Sequence, residues 1–104
     1  MRQAIISVDH HKAGVLTEVQ PGKKYRFVYN PEYQGNPVSL TLPVRPEAYE
    51  FDTFHPFFDG LLPEGVQLEG LLKFGKIDRN DLFSQLMAVG EDMVGNTTAK
   101  EILP

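Results

Sequence analysis

The sequence predicts an α+β fold: a small curled antiparallel sheet in the N-terminal half, followed by three short helices packed on it. Three observations carry this. Up to Val44 the apolar residues alternate at the two-residue period of strands; from Phe54 they recur at helical spacing; and Pro, Gly and Asn punctuate the joints. With 104 residues, 41% hydrophobic and 23% charged, the chain is expected to form a single domain over 1–104.

The first strand reads from Ala4, Ile6 and Val8 alternating with Ile5, Ser7 and Asp9. His10-His11-Lys12 is expected as the loop, Gly14 as the return, and Val15, Thr17 and Val19 as the partner strand of a hairpin. Gln20-Pro21-Gly22-Lys23 is a turn in which Pro fixes φ at one central position and Gly accepts φ > 0 at the next. Tyr25, Phe27 and Tyr29 then share one face of a third strand. The loop from Asn30 to Pro37 leads to the cleanest alternation in the chain, Val38, Leu40, Leu42 and Val44, expected as an edge strand because of Pro43. Arg45 to Asp52 reads as loop.

Phe54, Phe57, Phe58, Leu61 and Leu62 follow at i, i+3, i+4, i+7 and i+8, one face of a helix that Thr53 can cap and in whose first turn Pro56 is tolerated. Pro63 disfavours helical geometry at Leu62 but suits the start of a new helix, so the chain should bend and restart there. The second helix, Pro63 to Phe74, carries Leu68, Leu71 and Leu72, with Gly75 as its stop. Asp78 is the expected cap of a third helix, with Asp81 as capping-box partner; Leu82, Phe83, Leu86 and Met87 line it and Gly90 ends it. Thr97, Thr98 and Ile102, within the tail Val94 to Leu103, mark a candidate late strand.

Composition excludes several functions. Without cysteine there is no disulfide framework, thiolate nucleophile or zinc–thiolate site. The formal net charge of −4 argues against direct nucleic-acid binding. No apolar run approaches membrane-spanning length, and Met-Arg-Gln-Ala-Ile-Ile is too short and mixed for a signal peptide, so a cytoplasmic chain with no membrane partner is expected. Between Arg45 and Lys73 there is no Lys or Arg, yet Glu47, Glu50, Asp52, Asp59, Glu64 and Glu69 all fall there. That segment reads either as a solvated acidic face or as a surface meant for a basic partner.

Catalytic and cofactor motifs are missing. No glycine-rich phosphate loop, nucleophile elbow or dinucleotide fingerprint occurs, and Gly75-Lys76 is followed by Ile77 where a magnesium-holding hydroxyl would be needed. His10-His11 has no further ligands at metal-site spacing and reads as a hairpin loop. Asp59 and Glu64 could pair across the corner, but no nucleophile–base constellation accompanies them. No catalytic residue, cofactor or metal ligand is assigned.

Phe57-Phe58-Asp59-Gly60-Leu61-Leu62-Pro63-Glu64-Gly65 resembles the signature of the N-terminal subdomain of HipA-type toxin kinases. Val38-Ser39-Leu40-Thr41-Leu42-Pro43 is similar to that family's Ser-Leu-Ser-Leu-Pro strand, and Gly90-Glu91-Asp92-Met93-Val94-Gly95 to its Gly-x-Asp-x-x-Gly turn. A kinase of that family continues for several hundred further residues, in which its ATP-binding and catalytic motifs lie, and this chain stops at Pro104. The resemblance therefore implies a free-standing HipS-like protein of the tripartite HipB–HipS–HipT systems. On that reading it is a non-enzymatic antitoxin that binds a HipT-like Ser/Thr kinase toxin and inhibits it. A HipB-like helix-turn-helix protein would join a ternary complex and alone touch DNA. The alternative is a non-inhibitory module, docking on a HipA-type kinase core or on HipB. The expected partner-binding residues are Asp59, Gly60, Pro63, Glu64, Gly65, Val66, Gln67 and Glu69. The family often carries a bulky residue, commonly Trp, directly after the Leu-Leu-Pro-Glu-Gly block; here Val66 supplies a smaller wedge.

Overall fold

The computed structural model describes residues 1–90 and 96–102. In chain order these form β1 (Arg2–Val8), β2 (His11–Gln20), β3 (Lys24–Tyr29), β4 (Tyr49–Phe51), α1 (Pro56–Asp59), α2 (Gly65–Gly75), α3 (Leu82–Val89) and β5 (Thr97–Ile102). The sheet is antiparallel throughout, in the order β4-β3-β2-β1-β5. The α+β class holds, and the late strand is real: β5 returns from the helices to pair with β1. Val94 and Leu103, and Glu91 to Gly95 of the glycine-bounded turn, lie outside the described residues.

Alternation decides which sheet face is covered. Ala4, Ile6 and Val8 of β1, Leu16 of β2, Tyr25, Phe27 and Tyr29 of β3 and Ala99 of β5 are all buried. Against them pack Phe58 of α1 and Phe83 and Leu86 of α3, each fully enclosed. The end of α3 abuts β5 so closely that a Cβ on Gly90 would stand 2.0 Å from the Ala99 carbonyl oxygen, so only glycine fits there.

The turn at Gln20–Lys23 forms as expected, with Gly22 at φ 72° and the Lys23 N–H donating to the Gln20 carbonyl at 3.0 Å. The first hairpin is tighter than expected. His11 and Lys12 belong to β2, and the connection is only Asp9-His10, both at positive φ (50° and 69°), the conformation whose twist matches paired strands. Ala13 forms a bulge that lets the register recover.

The expected strand at Val38–Val44 does not form. Prolines at 37 and 43 withhold donors at both ends, and the Ser39 hydroxyl accepts the Thr41 N–H at 3.2 Å, turning the chain locally. A single bridge, Ser39 to Leu42, closes that turn. The Tyr29 hydroxyl pins it to the sheet by donating to the Leu42 carbonyl and accepting the Val38 N–H. Val38 and Leu42 are buried, while Leu40, at the tip, is 96% exposed. The fourth strand comes instead from the stretch read as loop. Arg45 lies 3.7 Å above the Tyr49 ring and the Tyr49 hydroxyl donates to the Pro43 carbonyl at 2.6 Å, which delivers Tyr49–Phe51 to the edge of β3.

The helices also begin later than the sequence suggests. Asp81, not Asp78, caps α3 and accepts the Ser84 N–H at 3.1 Å; Asp78 accepts the Asn80 N–H at 2.7 Å in a local turn. Helix α2 ends on Gly75, but Lys76 takes the left-handed position, at φ 53° and ψ 45°. No residue of α2 is buried, so this helix lies at the margin rather than packed on the sheet.

Candidate partner-binding corner

The corner is built from two short helical pieces and the turn between them. Pro56 forces His55 out of helical geometry, to φ −59° and ψ 138°, so α1 cannot start at Thr53. His55 takes the capping role itself, its Nδ1 accepting the Phe57 N–H at 3.0 Å. The Gly60 N–H closes α1 onto the Pro56 carbonyl. Leu61 and Leu62 then bond three residues back, to Phe58 and Asp59, so the last turn tightens and the chain swings toward Pro63. The apolar face narrows accordingly. Phe54, Phe58 and Leu62 are buried, whereas Phe57 and Leu61 are half-buried.

Glu64 is extended and its side chain caps nothing; Gly65 starts α2 at φ 60°, a left-handed position with open space around it. This places Asp59 and Gly60 at the end of α1, Pro63 in the bend, and Glu64, Gly65, Val66 and Gln67 at the start of α2. All of these are exposed except half-buried Pro63. Val66 is 88% exposed. A groove of about 300 Å³ lies at this corner, with Asp59, Pro63, Glu64, Leu68, Arg79 and Leu82 among its lining residues. Gln85 also lines it; its amide donates to the Arg79 carbonyl at 2.9 Å and holds the α2–α3 connection in place.

Glu69 stands apart. It lies a turn further along and pairs with Arg79 at 2.5 Å; both side chains are more than half exposed, so the pair adds little stability but ties Glu69 to the α2–α3 connection. Glu50 is likewise taken up by Arg26 at 2.9 Å. Among the described residues Asp59 and Glu64 have no ion-pair partner, so they carry the corner's negative field. Sequence reasoning missed two exposed apolar residues, Leu40 at its turn and Phe74, 85% exposed on α2. The Ser-x-Thr pattern between two prolines was a signal for the first, and the i+8 spacing from Val66 for the second. His10 sits in the first turn, and among the described residues no three His, Asp or Glu gather as a metal site would require.

His55 is expected to make the corner sensitive to pH. Burial pushes the imidazole below its ordinary 6.5, in a setting formed by the Phe51 and Phe58 rings at 4.7 and 6.1 Å, and only the neutral ring can accept the Phe57 N–H. A depressed folded value means that the stability of the neutral ring is fully present above about pH 6.5. It is lost as pH falls through the lower folded value. The melting temperature should therefore fall between pH 7.5 and pH 5 by more in the wild type than in His55→Asn, whose side chain caps without titrating. Equal losses in the two proteins would remove His55 as the cause.

A family model described as the HipA N-terminal domain matches residues 4–100. The chain belongs to the HipA N-terminal domain family. A solved structure described as the N-terminal domain of HipA toxin superposes with a TM-score of 0.76 at 32% identity, covering 99% of this chain and 94% of that one. An uncharacterized protein of Haemophilus influenzae (strain ATCC 51907 / DSM 11121 / KW20 / Rd) is 38% identical over 88 residues, which is 85% of this chain and 81% of the relative. As a member of the HipA N-terminal domain family the chain is a module related to Hip toxin–antitoxin systems. Among the described residues no helix is long and apolar enough to cross a membrane.

Proposed function

We propose that this HipA N-terminal domain protein acts as a HipS-like antitoxin: a non-enzymatic, cytoplasmic single domain that binds a HipT-like Ser/Thr kinase and restrains it. The observation that carries this reading is the corner itself. A chain of this family holds Val66 almost fully out in solvent, directly after a Leu-Leu-Pro-Glu-Gly bend whose leucines anchor it to the core. Exposed apolar residues on a rigid frame bind at low entropic cost. The mechanism is steric: Val66 and Gln67 enter the kinase surface while Asp59 and Glu64 steer the approach toward its basic residues. Gly60, Pro63 and Gly65 set the shape of the bend, and Glu69 acts at its margin. A HipB-like protein joins the complex and supplies the DNA contact.

Co-purification with the neighbouring gene products, read by mass, tests the assembly. Replacing Val66 tests the contact. Val66→Trp should bind the kinase more tightly and rescue cells better than the wild type, and Val66→Ala should do worse, with unchanged melting temperatures because the side chain packs on nothing. Equal rescue by both variants would move the inhibitory contact away from the corner. The second reading, a non-inhibitory module docking on a kinase core or on HipB, draws on the solved relative, described as one domain of a toxin. It is favoured if the kinase binds the chain and keeps its full activity.

A further inference from the structure

Helix α2 has two sides of different character. Leu68, Leu71 and Leu72 are half-buried on its inner side. On the outer side Val66, Gly70 and Phe74 fall at i, i+4 and i+8, which at ~100° per residue keeps them within about 80° of arc. The two ends of this row are 88% and 85% exposed. Its centre has no side chain, and a Cβ added to Gly70 would meet nothing within 4 Å. Glycine is among the poorest residues for a helix interior, and neither turn, left-handed backbone nor close packing within the chain requires it there. The row is therefore a notch between two apolar knobs, and among the described residues nothing fills the space that a Cβ on Gly70 would take.

We propose that the Val66–Gly70–Phe74 row is a crossing seam for a helix of the HipA-type kinase core, with one apolar side chain of that helix seated over Gly70. Rows at i±4 are the ridges by which helices interlock, and a glycine at the crossing brings the axes to the near end of the usual separation. Charge sets the direction. Asp59 and Glu64 stand at one end of the row, Lys73 and Lys76 at the other, and among the described residues none of the four has an ion-pair partner. The matching helix is basic where it meets the Val66 end and acidic where it meets the Phe74 end. The seam shares Val66 with the proposed inhibitory corner and extends that contact by two helical turns, so the inference rests on that reading. The kinase core is the occupant that the proposed function supplies, and the solved relative, described as the N-terminal domain of HipA toxin, is likewise one domain of a larger protein.

The experiment uses the full chain and the kinase captured in the co-purification. Kd is measured by calorimetry and the melting temperature of the free chain by fluorescence. Phe74→Ala should raise Kd about tenfold or more with no change in melting temperature. Gly70→Ala should raise Kd similarly while the free chain melts ~2–8 °C higher, because alanine is the better helix former. That opposition of stability and affinity is what a merely structural glycine would not show. Wild-type Kd for both variants, with Val66→Trp still changing affinity, would overturn the seam and leave the corner standing. No wild-type binding at all would remove both. A lower melting temperature in Gly70→Ala would show that the fold itself needs the glycine. A wild-type dimer in sedimentation that Phe74→Ala makes monomeric would assign the row to a second copy of this chain instead.

Discussion

Truncating Phe58 to alanine should cost about 3–5 kcal/mol, a large part of the ~5–15 kcal/mol that holds a typical domain together. Phe58 is fully enclosed and meets Phe57 at 5.2 Å, Phe27 at 5.9 Å and Phe54 at 6.3 Å between ring centroids. It is the ring through which the four-residue α1 is attached to the sheet. Its removal leaves a cavity that strands cannot close without losing register. The neighbouring Phe57→Ala should cost clearly less, since that ring is only half-buried and water already reaches one edge. Urea unfolding of the two variants measures the difference. Equal costs would mean that α1 hangs on its whole apolar stripe, as helical spacing alone suggests, and not on one ring.

Replacing Arg2 by methionine should cost about 2–3 kcal/mol, the order expected for losing hydrogen bonds between charged groups. The guanidinium holds both oxygens of Glu18, at 2.7 and 2.8 Å, and reaches Asp81 at 2.8 Å and the Ser84 hydroxyl at 2.5 Å. It also lies 5.0 Å from the centre of the Phe83 ring. Glu18 is only 4% exposed, so without Arg2 a carboxylate is left buried with no cation. The cost stays at the low end for such pairs because Arg2 and Asp81 remain about one-third open to solvent. Adding Glu18→Gln to Arg2→Met should recover more than ~1 kcal/mol, since the orphaned charge goes with it; strictly additive losses would show that the pair does not act as a unit. Burial pushes the Asp81 carboxyl up, but the Arg2 and Ser84 hydrogen bonds outweigh it and hold the group below its ordinary 3.8. The stability from Asp81 is thus present above that value and lost as pH falls through the lower folded one.

These two sites mark where reading the sequence succeeded and where it stopped. Phe58 was legible, because three phenylalanines and two leucines at helical spacing announce a buried face. That only Phe54, Phe58 and Leu62 of that face are buried follows from Pro56 and Pro63, which shorten α1 to a single turn. By spacing Asp78 was the expected cap and Asp81 its capping-box partner, whereas Asp81 is the cap. Arg2, far away in the chain, selects Asp81 by bringing a cation to it.

The sequence by itself determined the α+β class, the Gln20–Lys23 turn, the faces of β1 and β3, the order of the three helices, the late strand and the bend at Leu62-Pro63. Each rests on local chemistry: side-chain period, fixed proline φ, or glycine at positive φ. In β2 the alternation pointed to Val15, Thr17 and Val19, whereas Leu16, in register with Ala4 and Phe27, supplies the core face. The candidate corner was also legible as a place in the chain, through its Leu-Leu-Pro-Glu-Gly block. Only the tertiary structure decided that Val38–Val44 is a turn pinned by Tyr29 and that Tyr49–Phe51 is the fourth strand. It also decided that α2 has no buried residue, and that Val66, Phe74 and Leu40 stand in solvent. Apolar alternation and helical spacing state which residues prefer to leave water. They do not state whether this chain has a surface left to receive them, and α3 and β5 close the core before α2 reaches it.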